Sequence, residues 1–232
     1  MSNSTTKSIT PKKKRRAVSL TELFSEKFDE FDFKDSWQDS FGKPERKAVW
    51  FVGAEVGSGK TTFVSMLARY MSQFGLVDYD SIEEGKSKSL SKAFTRAGLR
   101  PGDRRVRVLD KLYMDELEKR LDKHKSASIV IIDTIQHSDL DKATYLRLKA
   151  KYEGKKTFIF ISHLDGKKPE GSVAKFIYQD AGIKINIEGF MAFVKSRYVD
   201  GVPRPFTIYE KGAEAYWGID YIEGFKNSLK RK

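Results

Sequence analysis

The chain has 232 residues, no cysteine and a formal net charge of +12 at pH 7. That length admits one α/β domain with tails rather than two large domains, and the lack of cysteine excludes disulfides and thiolate metal centres. No apolar run reaches the length of a bilayer span and the N-terminus lacks the apolar core of a secretion signal, so a soluble cytoplasmic protein with no membrane partner is expected.

The basic balance fits a polyanion partner such as nucleic acid, and equally a well-solvated lysine-rich surface. Residues 1–17 form a basic arm around Pro11-Lys12-Lys13-Lys14-Arg15-Arg16 with no acidic residue, a composition expected to be disordered. The cluster at 11–16 suits a phosphate-contacting arm; nuclear import remains an open alternative. Residues 18–45 turn acidic and aromatic. Leu20, Leu23, Phe24 and Phe28 repeat at helical spacing, so a short helix should dock on the core or on a neighbouring subunit, core packing being the expected use.

From residue 46 to 220 strand and helix signals alternate, as in a parallel sheet covered by helices. The spacing predicts strands at 48–53, 76–79, 106–109, 128–133 and 157–162. Helices are predicted at 63–71, 90–97, 114–123 and 140–152. Further strands at 182–188, 190–195 and 206–209 read as antiparallel, with tight turns at Glu188-Gly189 and Asp200-Gly201. Residues 164–172 read as a loop carrying Gly166, Lys167, Lys168 and Gly171, and residues 221–232 as a basic tail.

Between the first strand and the first of these helices lies Ala54-Glu55-Val56-Gly57-Ser58-Gly59-Lys60-Thr61-Thr62. Strand, glycine-rich loop, Gly-Lys-Thr and helix is the context of a phosphate-binding P-loop, with Ala54 where the strict pattern has glycine. Backbone N–H groups and the positive helix end suit a polyphosphate, Lys60 would reach the β and γ phosphates, and Thr61 would ligate Mg²⁺. The sequence therefore points to a nucleoside triphosphate, ATP, with Mg²⁺. The apolar strand Ile129-Val130-Ile131-Ile132 ends in Asp133, where such proteins place the carboxylate that orients the metal.

Four further stretches carry a family resemblance. Asp133-Thr134-Ile135-Gln136 resembles the Asp-Ser-Ile-Gln of the RadA ATPase. Ile161-Ser162-His163 is similar to a strand end of RecA, RadA and DnaB, and Gln179-Asp180-Ala181 resembles the run before their next strand. Lys195-Ser196-Arg197-Tyr198 is similar to Lys-Asn-Arg-Phe of RadA. The resemblance spans roughly residues 45–215, without RadA's zinc ribbon or protease-like domain. It implies a RecA-like P-loop NTPase core of the α/β class: a mainly parallel sheet flanked by helices, with antiparallel C-terminal strands.

The resemblance also implies roles. Ser81-Ile82-Glu83-Glu84 is similar to Ser-Gly-Glu-Glu of RadA, which makes Glu83 the water-polarising carboxylate and Glu84 its alternate. His163 would lie beside the phosphates, on a strand between the P-loop strand and the Asp133 strand, and would sense the γ-phosphate. The 164–172 loop falls where RecA relatives contact single-stranded DNA, although it lacks an aromatic for base stacking. Lys195 and Arg197, alternating on a strand, would reach a neighbour's γ-phosphate; a cross-strand pairing with acids is the structural alternative. Tyr216 and Trp217 suit a hydrophobic plug at the sheet end better than an adenine stack.

The functional expectation is an ATP-hydrolysing, homo-oligomeric protein associated with single-stranded or branched DNA, in recombination, repair or replication of a bacterial, phage or other mobile genome. A nucleotide-gated adaptor with little turnover is the alternative. A small-molecule kinase fits worse, for want of an arginine-rich lid.

Overall fold

A computed structural model describes residues 16–228, and the side chains of 16–224. Residues 1–15, which carry most of the expected basic arm, and residues 229–232 lie outside the described part. No described helix is long and apolar enough to cross a membrane.

The backbone elements in chain order are α1 (Leu20–Ser25), α2 (Asp35–Phe41), β1 (Val49–Ala54), α3 (Lys60–Met71), β2 (Val77–Ser81), α4 (Lys88–Arg96), β3 (Val106–Leu109), α5 (Met114–Leu121) and β4 (Ile129–Asp133). A 3₁₀ turn at Ile135–His137 leads to α6 (Lys142–Tyr152), β5 (Thr157–Asp165), β6 (Lys168–Pro169), α7 (Ser172–Asp180), β7 (Ile183–Glu188), β8 (Met191–Ser196), β9 (Phe206–Thr207), α8 (Glu210–Trp217) and α9 (Ile219–Ser228).

The sheet runs β3-β2-β4-β5-β1-β7-β8-β9, with β6 folded back on β5. Neighbours from β3 through β7 are parallel; β7–β8 and β8–β9 are antiparallel. The Asp133 strand and the P-loop strand thus flank the His163 strand, as the resemblance implied.

Side chains alternate across the parallel strands, because successive Cβ atoms point to opposite faces. Trp50, Val52, Tyr79, Ile131 and Ile161 pack on one face beneath α2 and α3 with Phe33, Trp37, Phe41, Phe63 and Leu67. Phe51, Val130, Ile132 and Phe160 pack on the other with Leu117, Tyr145, Leu148 and Ile177 of α5–α7. With both faces covered, the central strands read as continuous apolar runs.

Several expectations give way. The Leu20–Phe28 stripe does not pack on the core: α1 has no buried residue, and Phe24 is 83 % exposed. The space it would fill is taken by the next segment, where Phe31 and Phe33 are buried and Trp37 stacks on Tyr70 at 4.5 Å between ring centroids. Residues 164–172 are largely a hairpin of β5 and β6 running into α7, a helix the sequence reading did not assign. Residues 219–228 continue as α9, where a tail was expected from residue 221.

Candidate nucleotide site

The P-loop leaves the end of β1 at buried Ala54 and turns through Gly57 and Gly59, with φ of +80° and +102°. Those left-handed values favour glycine. At Gly59 the demand is twofold, since an added Cβ would also come within 3.1 Å of the Phe190 ring. Gly59 offers α3 no side-chain cap, so the first N–H groups of the helix, including those of Thr61 and Thr62, stay available to an anion. Glu55 and Val56 line the outer wall of the loop, Val56 being 91 % exposed, and Ser58 Oγ donates to the Glu55 carbonyl at 2.7 Å.

Lys60 points from the first turn of α3 toward two carboxylates. Its Nζ lies 2.9 Å from Glu83 Oε2 and 3.8 Å from Asp133 Oδ1. Burial by itself would raise the Glu83 pKa, but the Lys60 hydrogen bond and charge, with His163 and His137 nearby, hold it below the usual glutamate value. Glu83 is therefore a carboxylate at neutral pH. Glu84 is directed elsewhere: it accepts from Ser87 Oγ at 2.9 Å and from Ser89 Oγ at the start of α4.

Asp133 is buried at the end of β4, where desolvation raises its pKa against the pull of Lys60. Tyr79 donates a short hydrogen bond to Asp133 Oδ2. Oδ1 is buried and has no hydrogen-bond partner. An orphaned carboxylate oxygen beside the P-loop helix suits a hard divalent cation, so Asp133 fits Mg²⁺, and Thr61 stands in the first turn of that helix.

His163 closes the site from β5, its Nε2 3.3 Å from Glu83 Oε2. Its backbone N–H donates to Gln136 Oε1 at 3.1 Å, while Gln136 Nε2 donates to Ser162 Oγ and to the Glu170 carbonyl, each at 2.8 Å. Gln136 thus ties the segment after Asp133 to the β5–β6 hairpin.

A cavity of about 290 Å³ continues from Glu55, Gly57 and Ser58 past Lys167 and Asn186 to Tyr216. Tyr216 lines that cavity and is 59 % exposed. Trp217 turns away: its indole N–H donates to the Gly189 carbonyl at 3.1 Å and its ring packs on Phe193 and Tyr221. The expected plug is therefore Trp217, while Tyr216 borders the cavity beside the P-loop.

Lys195 and Arg197 are not brought to this cluster within one chain. β8 ends at Ser196, so Arg197 stands in the turn beyond it and both side chains are exposed, Lys195 directly opposite Lys184. The cross-strand partner of Lys195 is thus another cation, not the acid of the structural alternative. Burial depresses the Lys184 pKa, reinforced by Arg197 and Lys195.

Sequence reasoning missed His137, Tyr79 and the bridging role of Gln136. Tyr79 sits on β2, paired with β4 in parallel register, and neighbouring strands share a facing side only once that pairing exists. His137 returns to the site because the 3₁₀ turn folds it back, its Nδ1 2.9 Å from Thr134 Oγ1 and 4.0 Å from Glu83 Oε2.

No family model matches the chain, and no curated protein matches it. Solved structures do. A KaiC-like protein, PH0186 from the hyperthermophilic archaeon Pyrococcus horikoshii OT3, is 17 % identical with a TM-score of 0.54, over 71 % of this chain and 86 % of that one. A structure described as an ATPase domain is 16 % identical with a TM-score of 0.45, over 68 % of this chain and 79 % of that one. The parallel core, the antiparallel strands that follow it and the likeness to the KaiC-like protein together identify the architecture as a RecA-like α/β fold.

Proposed function

We propose that the protein binds and hydrolyses ATP as a DNA-associated RecA-like oligomer serving recombination, repair or replication of a bacterial or mobile genome. The observation that carries the hydrolytic part is the Lys60–Glu83–Asp133 cluster at the mouth of the P-loop. Phosphoryl transfer to water needs one carboxylate to orient the nucleophile and cations to absorb charge on the γ-phosphate. Glu83 is ionised, half-buried and tethered to Lys60, so a nucleotide that draws Lys60 to its phosphates frees Glu83 to accept a hydrogen bond from water. Bound Mg²⁺, held by Thr61 and Asp133, would supply charge neutralisation on the phosphate oxygens. Tyr79 keeps Asp133 Oδ2 occupied and leaves Oδ1 for that task. His163 contacts the same Glu83 oxygen as Lys60 and passes its position through Gln136 to the hairpin. Tyr216, on the wall of the adjoining cavity, would flank the base.

Exposed Lys167 and Lys168 on the hairpin and Lys175 on α7 support a polyanion surface coupled to His163. The exposed Leu20, Leu23, Phe24 and Phe28 support assembly through the N-terminal segment, and the exposed Lys195 and Arg197 support a role toward a neighbour's nucleotide.

The test is Glu83→Gln beside Glu84→Gln, assayed for ATP binding and for hydrolysis with and without single-stranded DNA. Glu83→Gln should bind ATP and lose about 100-fold or more in rate, Glu84→Gln should remain active, and DNA should stimulate the wild type. Normal turnover by Glu83→Gln refutes the assignment of the base. Binding without turnover or DNA stimulation favours a nucleotide-gated adaptor.

A further inference from the structure

The chain has three histidines, and two of them converge on one glutamate. Glu83, His137 and His163 each present a ligand atom, and these atoms lie within 4.8 Å of one another. The three come from separate places: the loop after β2, the 3₁₀ turn after β4, and the end of β5. The imidazole rings meet edge to face with centroids 5.8 Å apart. Gln136, the residue before His137, holds the backbone of His163, so the two histidines are braced against each other.

We propose that Glu83, His137 and His163 form a binding site for a borderline-soft divalent transition metal of the Zn²⁺ or Co²⁺ class, distinct from the Mg²⁺ position at Thr61 and Asp133, and that its occupation shuts the nucleotide site. Two imidazoles and one carboxylate are a donor set for zinc, whereas Mg²⁺ prefers oxygen. Zinc–ligand bonds of about 2.0–2.2 Å place tetrahedral ligand atoms about 3.3–3.6 Å apart. The His163–Glu83 separation is already 3.3 Å, and the His137–Glu83 separation of 4.0 Å needs only a small ring movement. His137 is half-exposed and its Nδ1 has only the Thr134 hydroxyl to release.

The ion competes with Lys60 for Glu83 Oε2, which explains how the site would inhibit. Displaced from Glu83, Lys60 Nζ can close the 3.8 Å gap to Asp133 Oδ1, the buried oxygen that has no partner. The metal then holds the carboxylate assigned to the attacking water, and Lys60 blocks the carboxylate assigned to Mg²⁺. Metal binding stands on the three ligands alone; the inhibitory consequence rests on the proposed ATPase reading.

The experiment is a Co²⁺ titration of the nucleotide-free full chain followed by visible absorption, with Zn²⁺ added back. Wild type should take up one Co²⁺ with the intense bands of a four- or five-coordinate site, and Zn²⁺ should bleach them. His137→Ala and His163→Ala should each weaken binding by at least about tenfold, while His124→Ala, on an exposed loop, should bind as wild type. Should His163→Ala fail to fold, the half-exposed His137, tested as both His137→Ala and His137→Gln, carries the comparison. A faint octahedral spectrum, or unchanged affinity in the His137 variants, overturns the site.

In a second arm, Zn²⁺ added over excess Mg²⁺ should slow ATP hydrolysis by wild type more than by His137→Ala, each relative to its own rate in Mg²⁺ without zinc. Stoichiometric Zn²⁺ binding without loss of rate overturns the inhibitory role and leaves the site standing. The cobalt titration decides the metal site even if the chain hydrolyses no ATP.

Discussion

Asp80, three residues before Glu83, allows a quantitative test of how β2 is built. Its side chain is fully buried, Oδ1 accepts from the Leu112 N–H at 3.2 Å, and Oδ2 has no hydrogen-bond partner. Desolvation, opposed by the Leu112 N–H and aided by nearby Asp78 and Glu116, raises its pKa to about 7. In the unfolded chain the same carboxyl ionises near pH 4. Between about pH 4 and about pH 7 the folded state therefore holds the extra proton, and the Asp80 contribution to stability falls as pH rises through that window, levelling off above it.

Asp80→Asn removes this titration. Any packing cost of the amide is independent of pH, so the informative quantity is how the difference between variant and wild type changes. From pH 5 to pH 8 wild type loses about two pH units of linkage, or about 3 kcal/mol, which the variant keeps. For a chain of this size that corresponds to a relative shift in melting temperature of about 6–12 °C in favour of the variant. Urea titrations and thermal melts of both proteins at the two pH values measure it, other ionisable groups cancelling in the comparison. A variant-minus-wild-type difference that is the same at pH 5 and pH 8 refutes the buried, protonated Asp80.

Lys60→Ala should abolish the thermal shift given by ATP with Mg²⁺ and leave the circular-dichroism spectrum unchanged; an undiminished shift would sink the P-loop assignment. Gly42→Ala should cost about 3 kcal/mol or more in urea titration, because Gly42 has φ +72° and an added Cβ would overlap the Tyr198 carbonyl where α2 meets the β8 end; near-wild-type stability would contradict that packing. Mixing Lys60→Ala with Arg197→Ala subunits should restore hydrolysis at interfaces that join an intact Lys60 to an intact Arg197. No recovery on mixing, with specific activity independent of concentration, would make Arg197 a surface residue of a single-chain enzyme.

The parts legible from sequence alone are those specified by local chemistry. The glycine spacing of the P-loop, the Lys60-Thr61 pair and the apolar strand ending at Asp133 each carry their meaning over a few residues, because backbone conformation and burial pattern are set locally. Even the place of the His163 strand, between the P-loop strand and the Asp133 strand, followed from the resemblance.

Tertiary structure decided what depends on competition between distant segments. Eight aromatic or aliphatic side chains in residues 20–41 had equal claim to the core, and only packing shows that Phe31, Phe33, Trp37 and Phe41 take the space beneath α2 and α3 while Leu20 to Phe28 stay outside. Glu83 and Glu84 are chemically identical neighbours; the turn after β2 aims one at Lys60 and the other at Ser87. Tyr79, His137 and His163 meet around Asp133 and Glu83 only because β2, β4 and β5 lie side by side, a proximity that no spacing along the chain encodes.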